Sequence, residues 1–214
     1  MTPDRIDGMT RVTRVMLRPI ANPLPLGFLA LAGGTLVVSA LQLGWLEPAD
    51  GSDVALVLIA FVFPLQLVAS VFGYLARDVV AGTAMGLLAG TWLSVALVKL
   101  TNDPGSTSDA LGLFLLLAGV AMLVPAAAAA TAKIVPALVL GTTAARFETT
   151  GLYELTASGT WEDVAGIVGL VLCALALYAA LAMALEDARR ATVLPLGRRE
   201  DEHVDRDPGV REQL

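Results

Sequence analysis

Apolar residues in this chain come in long blocks rather than in alternation. Leu26 to Leu46, Val54 to Ala76, Val79 to Val98, Ala110 to Ala130 and Val164 to Leu185 contain no Asp, Glu, Lys or Arg. Each holds about the 20 residues that a helix rising about 1.5 Å per residue needs to cross roughly 30 Å of hydrocarbon. The blocks predict five membrane-crossing helices. A further stretch, Ile134 to Tyr153, is apolar as far as Ala145 and then carries Arg146 and Glu148. Counting it as a span gives an all-α, integral membrane protein, a six-transmembrane-helix bundle over residues 22–187. A basic N-tail (1–21) and a charged C-tail (188–214), read as disordered, flank it.

The connections alternate between long and short. Glu47 to Asp53 and Lys99 to Asp109 are long, the second carrying the turn signal Asn102-Asp103-Pro104-Gly105, while Arg77-Asp78 and Thr131 to Lys133 are tight turns. Consecutive helices are therefore expected to lie antiparallel. Of the 14 Lys and Arg residues, 12 fall on the side of the two tails and tight turns, leaving Lys99 and Arg146 on the other. By the positive-inside rule both termini face the cytoplasm, which predicts a multi-pass protein of the cell membrane. The first span reads as an uncleaved signal anchor, since no small-residue cleavage pattern follows the basic start.

Composition narrows the function classes. A hydrophobic fraction of 56%, 16% charged residues and a mean hydropathy of +0.73 exclude a soluble globular domain. The spans use nearly all of the 214 residues, so any activity has to be built inside the bundle or at its mouths. The net charge of −6 comes largely from acids in the outer loops and the distal C-tail and points to no nucleic-acid partner. Cys173 and His203 are the only residues of their types. Neither a disulfide nor a cysteine-built metal site follows from them, and no nucleophile, base and orienter recur together. No enzyme activity and no cofactor is expected.

Small residues recur at helical spacing, notably Gly82, Gly86 and Gly90, where close backbone approach can hold helices together in lipid. Pro64, Pro125 and Pro136 are expected to kink or start spans. On the first span Thr35, Ser39 and Gln42 share one face, which lipid does not favour and which should look into the bundle. Gln66 lies in mid-span, as an interhelical bridge or a pore ligand.

The segment Asn22-Pro23-Leu24-Pro25-Leu26-Gly27 suits a helix entrance: Asn can cap, proline in the first turn loses no hydrogen bond, and Gly27 admits a close neighbour. It also resembles the Asn-Pro-x-Pro-Leu-Gly signature of the acetate uptake transporter family, the succinate–acetate permease-like membrane proteins. Gln66, Thr83-Ala84 and Trp92 fit that family's residues in order and position. Ala191-Thr192-Val193-Leu194-Pro195-Leu196-Gly197 is similar to its C-terminal motif, with Ala191 replacing an arginine. The resemblance covers Asn22 to Gly197. It implies a homohexamer whose protomers each carry a narrow pore for small monocarboxylates, with protons as the coupled partner.

Departures from the family pattern matter for selectivity. Positions where the family narrows its pore with Phe, Tyr and Leu are here Leu31, Leu88 and Thr143, so the constriction is expected to be wider or softer. Arg146 stands about 18 Å along its span. It is either an intramembrane functional group or part of an unravelled helix end, and neither i+3 nor i+4 offers an acid. Tyr178 could donate to a substrate oxygen.

The expected function is transport of acetate-like monocarboxylates, with proton-coupled uptake. The substrate path would include Asn22, Pro23, Pro25, Gly27, Leu31, Thr35, Ser39, Gln66, Leu88, Thr143, Arg146 and Tyr178. The alternatives are a passive hexameric channel for small neutral solutes such as urea or amides, and a non-conducting structural membrane protein.

Overall fold

In a computed structural model, residues 21–189 and 191–197 of the chain are described. They form six long helices: α1 (Leu24–Gln42), α2 (Pro48–Leu75), α3 (Val79–Thr101), α4 (Asp109–Ala130), α5 (Ile134–Thr156) and α6 (Gly159–Arg189). No strand occurs among the described residues. Five helices are long and apolar enough to cross a membrane; α5, which carries Arg146, Glu148 and Glu154, is the one that is not. Each helix packs on its neighbours in sequence, and α6 returns to pack on α1, which closes the six into a ring.

Local chemistry sets the helix ends. α1 stops at Gln42 rather than at Leu46, because the chain turns through Gly44 at φ 69°. α2 starts six residues before its apolar run. Pro48 opens a 3-10 turn there, and the Glu47 amide donates to Asp50 Oδ2 at 2.9 Å in a capping box. Asp78 Oδ1 accepts from the Ala81 amide at 2.8 Å to start α3, and Ser108 Oγ accepts from the Leu111 amide to start α4. Of the three prolines, Pro136 starts a span as expected. A π-helical turn over Leu58–Val62 precedes Pro64 and relieves the clash its ring would make in a regular helix; Pro125 sits inside α4, and Pro136 lies in the first turn of α5.

Small residues hold α2 against α3. A Cβ added to Gly73 would stand 2.7 Å from Gly82 N and 2.9 Å from Gly82 Cα, so the two backbones touch. Gly82 lies under the Tyr74 ring and Gly86 under the Ser70 hydroxyl, which donates to the Gly82 carbonyl at 2.7 Å. Gly90 makes no such approach. The stripe is therefore a contact over two of its three glycines. The outer faces carry exposed Leu113, Leu117, Val120 and Val124 on α4 and Ile167 and Val171 on α6, as lipid requires.

The tail differs from expectation. α6 runs on to Arg189, and residues 191–197, expected within a disordered C-tail from 188, fold back along the bundle. Leu196 is buried, and the carbonyls of Gly197 and Leu196 accept from the Ile134 and Val135 amides at 3.0 and 3.1 Å. Helix α5 thus takes its N-terminal cap from backbone 61 and 63 residues away, which satisfies donors that have no partner within the helix. Gly197 at φ 65° packs on Ile134, a place where a side chain meets both strain and a clash.

Gly73→Ala should pry α2 from α3 and lower stability by about 1–3 kcal/mol, the range for overpacking a tight contact. Unfolding of the purified protein in detergent measures it, and an unchanged midpoint would contradict the backbone contact.

Candidate functional site

The interior of the ring is stratified from the end where α1 starts to the end that carries Lys99. At the first end Asn22 is exposed and its Oδ1 accepts from the Leu24 amide at 3.0 Å, with Pro23 and Pro25 half-buried around the start of α1. Gly27 is buried where three helices converge: an added Cβ would run into the Met85 side chain of α3 and stand 3.3 Å from Ala69 Cβ of α2. Gln66 Nε2 reaches the Gly27 carbonyl at 3.5 Å, a long contact, while its Oε1 is buried without a protein partner. The structure therefore brings Gly27 and Gln66 together.

The middle layer is apolar and closed. Leu31, Leu88 and Thr143 are all fully buried. Thr35 and Thr143 turn their hydroxyls back onto their own helices, donating to the Leu31 and Val139 carbonyls at 2.8 Å each. Positions 31, 88 and 143 bring no aromatic ring to this layer. One helical turn along, Trp92 of α3 and Phe147 of α5 meet edge to face, with ring centroids 6.3 Å apart and planes at 73°, both buried. Their helices are not neighbours in the ring, so this pair reaches across it. Such an arrangement is favourable for the ring quadrupoles. Trp92 Nε1 has no partner. Phe147 was not among the sequence candidates, although its spacing of four from Thr143 places it on the same face of α5.

Beyond the rings the chemistry changes. Arg146 is 2% exposed, so the unravelled helix end is excluded and the side chain is kept from lipid. Nη1 donates to the Ala165 carbonyl of α6, and Nη2 has no protein partner. Ser39 Oγ of α1 is likewise buried and unpartnered. Both groups crowd the spot where a Cβ on Gly169 of α6 would lie, which brings hydroxyl and guanidinium to one place. Glu148 is directed elsewhere, against Gly119 of α4.

Above them opens a vestibule of about 270 Å3, lined among others by Gln42, Lys99, Asn102, Tyr153, Glu154 and Glu162. Gln42 Oε1 is buried and unpartnered. Lys99 is within electrostatic reach of Glu154, Glu162 and Arg146. Glu154 also accepts the Ser108 amide at 2.8 Å, tying the end of α5 to the start of α4. Sequence reading passed over Glu154 and Glu162, because acids near a helix end look like ordinary solvated charges. Tyr178 serves neither layer: its hydroxyl donates to the Pro195 carbonyl at 2.8 Å and clasps the returning tail.

The model of the GPR1/FUN34/yaaH family matches residues 8–197 of this chain. Among solved structures, one titled as that of the bacterial acetate channel SatP is similar to it, with a TM-score of 0.74 and 24% sequence identity, over 83% of this chain and 99% of the other. No curated protein gives a match.

The Trp92–Phe147 contact should act as a seal. In a Cys173→Ala background, a thiol introduced by Leu88→Cys should react slowly with a small aqueous reagent applied from the Lys99 side. Adding Phe147→Ala should speed the reaction at least about tenfold, since truncating a buried Phe leaves a cavity worth several kcal/mol of lost packing. Equal rates would assign the barrier to another layer.

Proposed function

The chain belongs to the GPR1/FUN34/yaaH family, and from that premise we propose that it carries small monocarboxylates, acetate first, through the interior of its six-helix ring. The observation that carries this reading is the interior itself. Buried polar atoms without protein partners, on Gln42, Ser39, Arg146, Trp92 and Gln66, recur from the vestibule toward the opposite mouth, interrupted by one ring pair. The solved neighbour's title names an acetate channel, which supports the same substrate class. Urea-like neutral solutes fit less well, because a buried guanidinium is a costly lining for a neutral cargo. A non-conducting structural protein has no use for so many unpartnered interior polar atoms, each of which costs stability.

In this reading α5 is the sixth crossing, with Leu138 and Ala145 facing lipid and Arg146 buried between its neighbours. Both termini lie on the cytoplasmic side of the cell membrane, and six protomers assemble, each with its own path.

Proton coupling follows from the substrate rather than from a side-chain relay. An ionised carboxylate pays a large desolvation penalty between apolar rings, whereas the neutral acid does not. A carboxyl group with pKa of about 4 to 5 is mostly ionised at neutral pH, and its neutral fraction rises about tenfold for each pH unit of acidification. The acid thus brings its own proton past Trp92 and Phe147. Glu148, facing Gly119 outside this line, takes no part.

Uptake of labelled acetate by proteoliposomes tests the proposal. The rate should rise severalfold, up to about tenfold, when the external pH falls from 7 to 6, and Glu148→Gln should leave that rise intact. Uptake that is absent, or that increases with pH, would refute it.

A further inference from the structure

We propose that Arg146, Ser39 and the bare Cα of Gly169 form a binding niche for a single carboxylate group, at the inner end of the Lys99 vestibule. The proposal takes its ligand class from the transport reading, but the niche stands on its own geometry. Three helices meet there: α5 supplies the guanidinium, α1 the hydroxyl, and α6 both the Ala165 carbonyl that fixes Nη1 and the glycine that makes room. A Cβ at position 169 would stand 2.9 Å from Arg146 Nε and 3.0 Å from Cζ, and closer still to Ser39 Oγ, so any side chain there would displace both donors.

Charge decides what the niche takes. A buried guanidinium with no anion costs several kcal/mol even after relaxation. The acids nearest in sequence are committed elsewhere: Glu148 lies against Gly119, and Glu154, eight residues along α5, accepts the Ser108 amide. Eight residues amount to about 12 Å of helix rise, too far for direct pairing along the axis. Nη1 is already engaged, which leaves Nη2 and the Ser39 hydroxyl as two unpartnered donors, on a guanidinium and a hydroxyl that share the space beside Gly169. A planar carboxylate offers two acceptor oxygens to match them, and charge-assisted bonds of this kind are among the strong ones. The niche offers one guanidinium, enough for one carboxylate, and the second carboxylate of a dicarboxylate would meet the two acids Glu154 and Glu162 that share the vestibule with the single Lys99, so the niche selects a monoanion. Arg146 precedes Phe147, so an anion captured here waits beside the ring pair that only the neutral acid crosses.

Binding is measured apart from transport, on the full-length protein in detergent, by the shift in unfolding temperature as sodium acetate replaces sodium chloride at constant ionic strength. Acetate should stabilise the protein saturably, and succinate should do so at least about tenfold more weakly. Arg146→Gln should weaken acetate binding by tenfold or more, Ser39→Ala by threefold to tenfold, and Gly169→Ala should abolish it. Ser39→Ala, which only removes a hydroxyl, keeps the test open should Gly169→Ala fail to fold. Wild-type acetate binding in both Arg146→Gln and Ser39→Ala would overturn the niche, and so would equal stabilisation by chloride and acetate. Loss of acetate binding in Arg146→Gln with no uptake by the wild type would support the niche while removing the transport reading. Full uptake by Arg146→Gln would remove the niche while sparing transport.

Discussion

A guanidinium at the centre of a bilayer costs about 2.5–3.5 kcal/mol on insertion scales and far more on an isolated helix. Arg146 is placed so that lipid never meets it. Helix α5 lies between α4 and α6, and the closure of α6 onto α1 completes the wall around the arginine. The same closure explains why α5 can be the least apolar of the six helices. Leu117 and Val124 on α4 and Ile167 on α6 supply most of the apolar exterior beside it, α5 adds Leu138, and its Thr143 and Arg146 are buried.

Two kinds of close approach make that arrangement possible. Glycine against backbone, as at Gly73 and Gly82, lets neighbouring helices pack where the hydrophobic effect gives little drive. Glycine against polar side chains, as at Gly169, instead makes space for the Ser39 hydroxyl and the Arg146 guanidinium. The difference is visible only in what lies opposite. Gly86 faces a serine hydroxyl and Gly90 faces nothing within 4 Å, although all three members of that stripe look alike in sequence.

Much of the fold was legible in the sequence because lipid imposes so few solutions. The five apolar blocks, the short turns at Arg77-Asp78 and Thr131 to Lys133, and the antiparallel order all reappear, and the Asn22–Gly27 motif does begin α1. Helix ends were harder: α2 starts early because a capping box, not hydropathy, decides it. The site was legible only in part. The stripe of Thr35, Ser39 and Gln42 and the isolated Arg146 announced themselves as polar residues in apolar surroundings, and all are buried. Phe147 did not, since one more aromatic residue in a membrane helix carries no signal until Trp92 is seen across the ring from it. The roles of Tyr178 and of residues 191–197 depended on a contact across the chain that periodicity cannot encode.

The returning tail has a mechanical consequence. At one end α5 is held by the carbonyls of Leu196 and Gly197, and at the other by the bond from Ser108 to Glu154. A rod anchored at both tips cannot swing open like a door. Motion near its midpoint is then left to torsions of single side chains, Phe147 among them, which relax far faster than the rocking of whole helices. On the transport reading proposed above, that anchoring favours a sieve whose mesh flickers over a machine of rocking helices, with throughput set by how often two rings part.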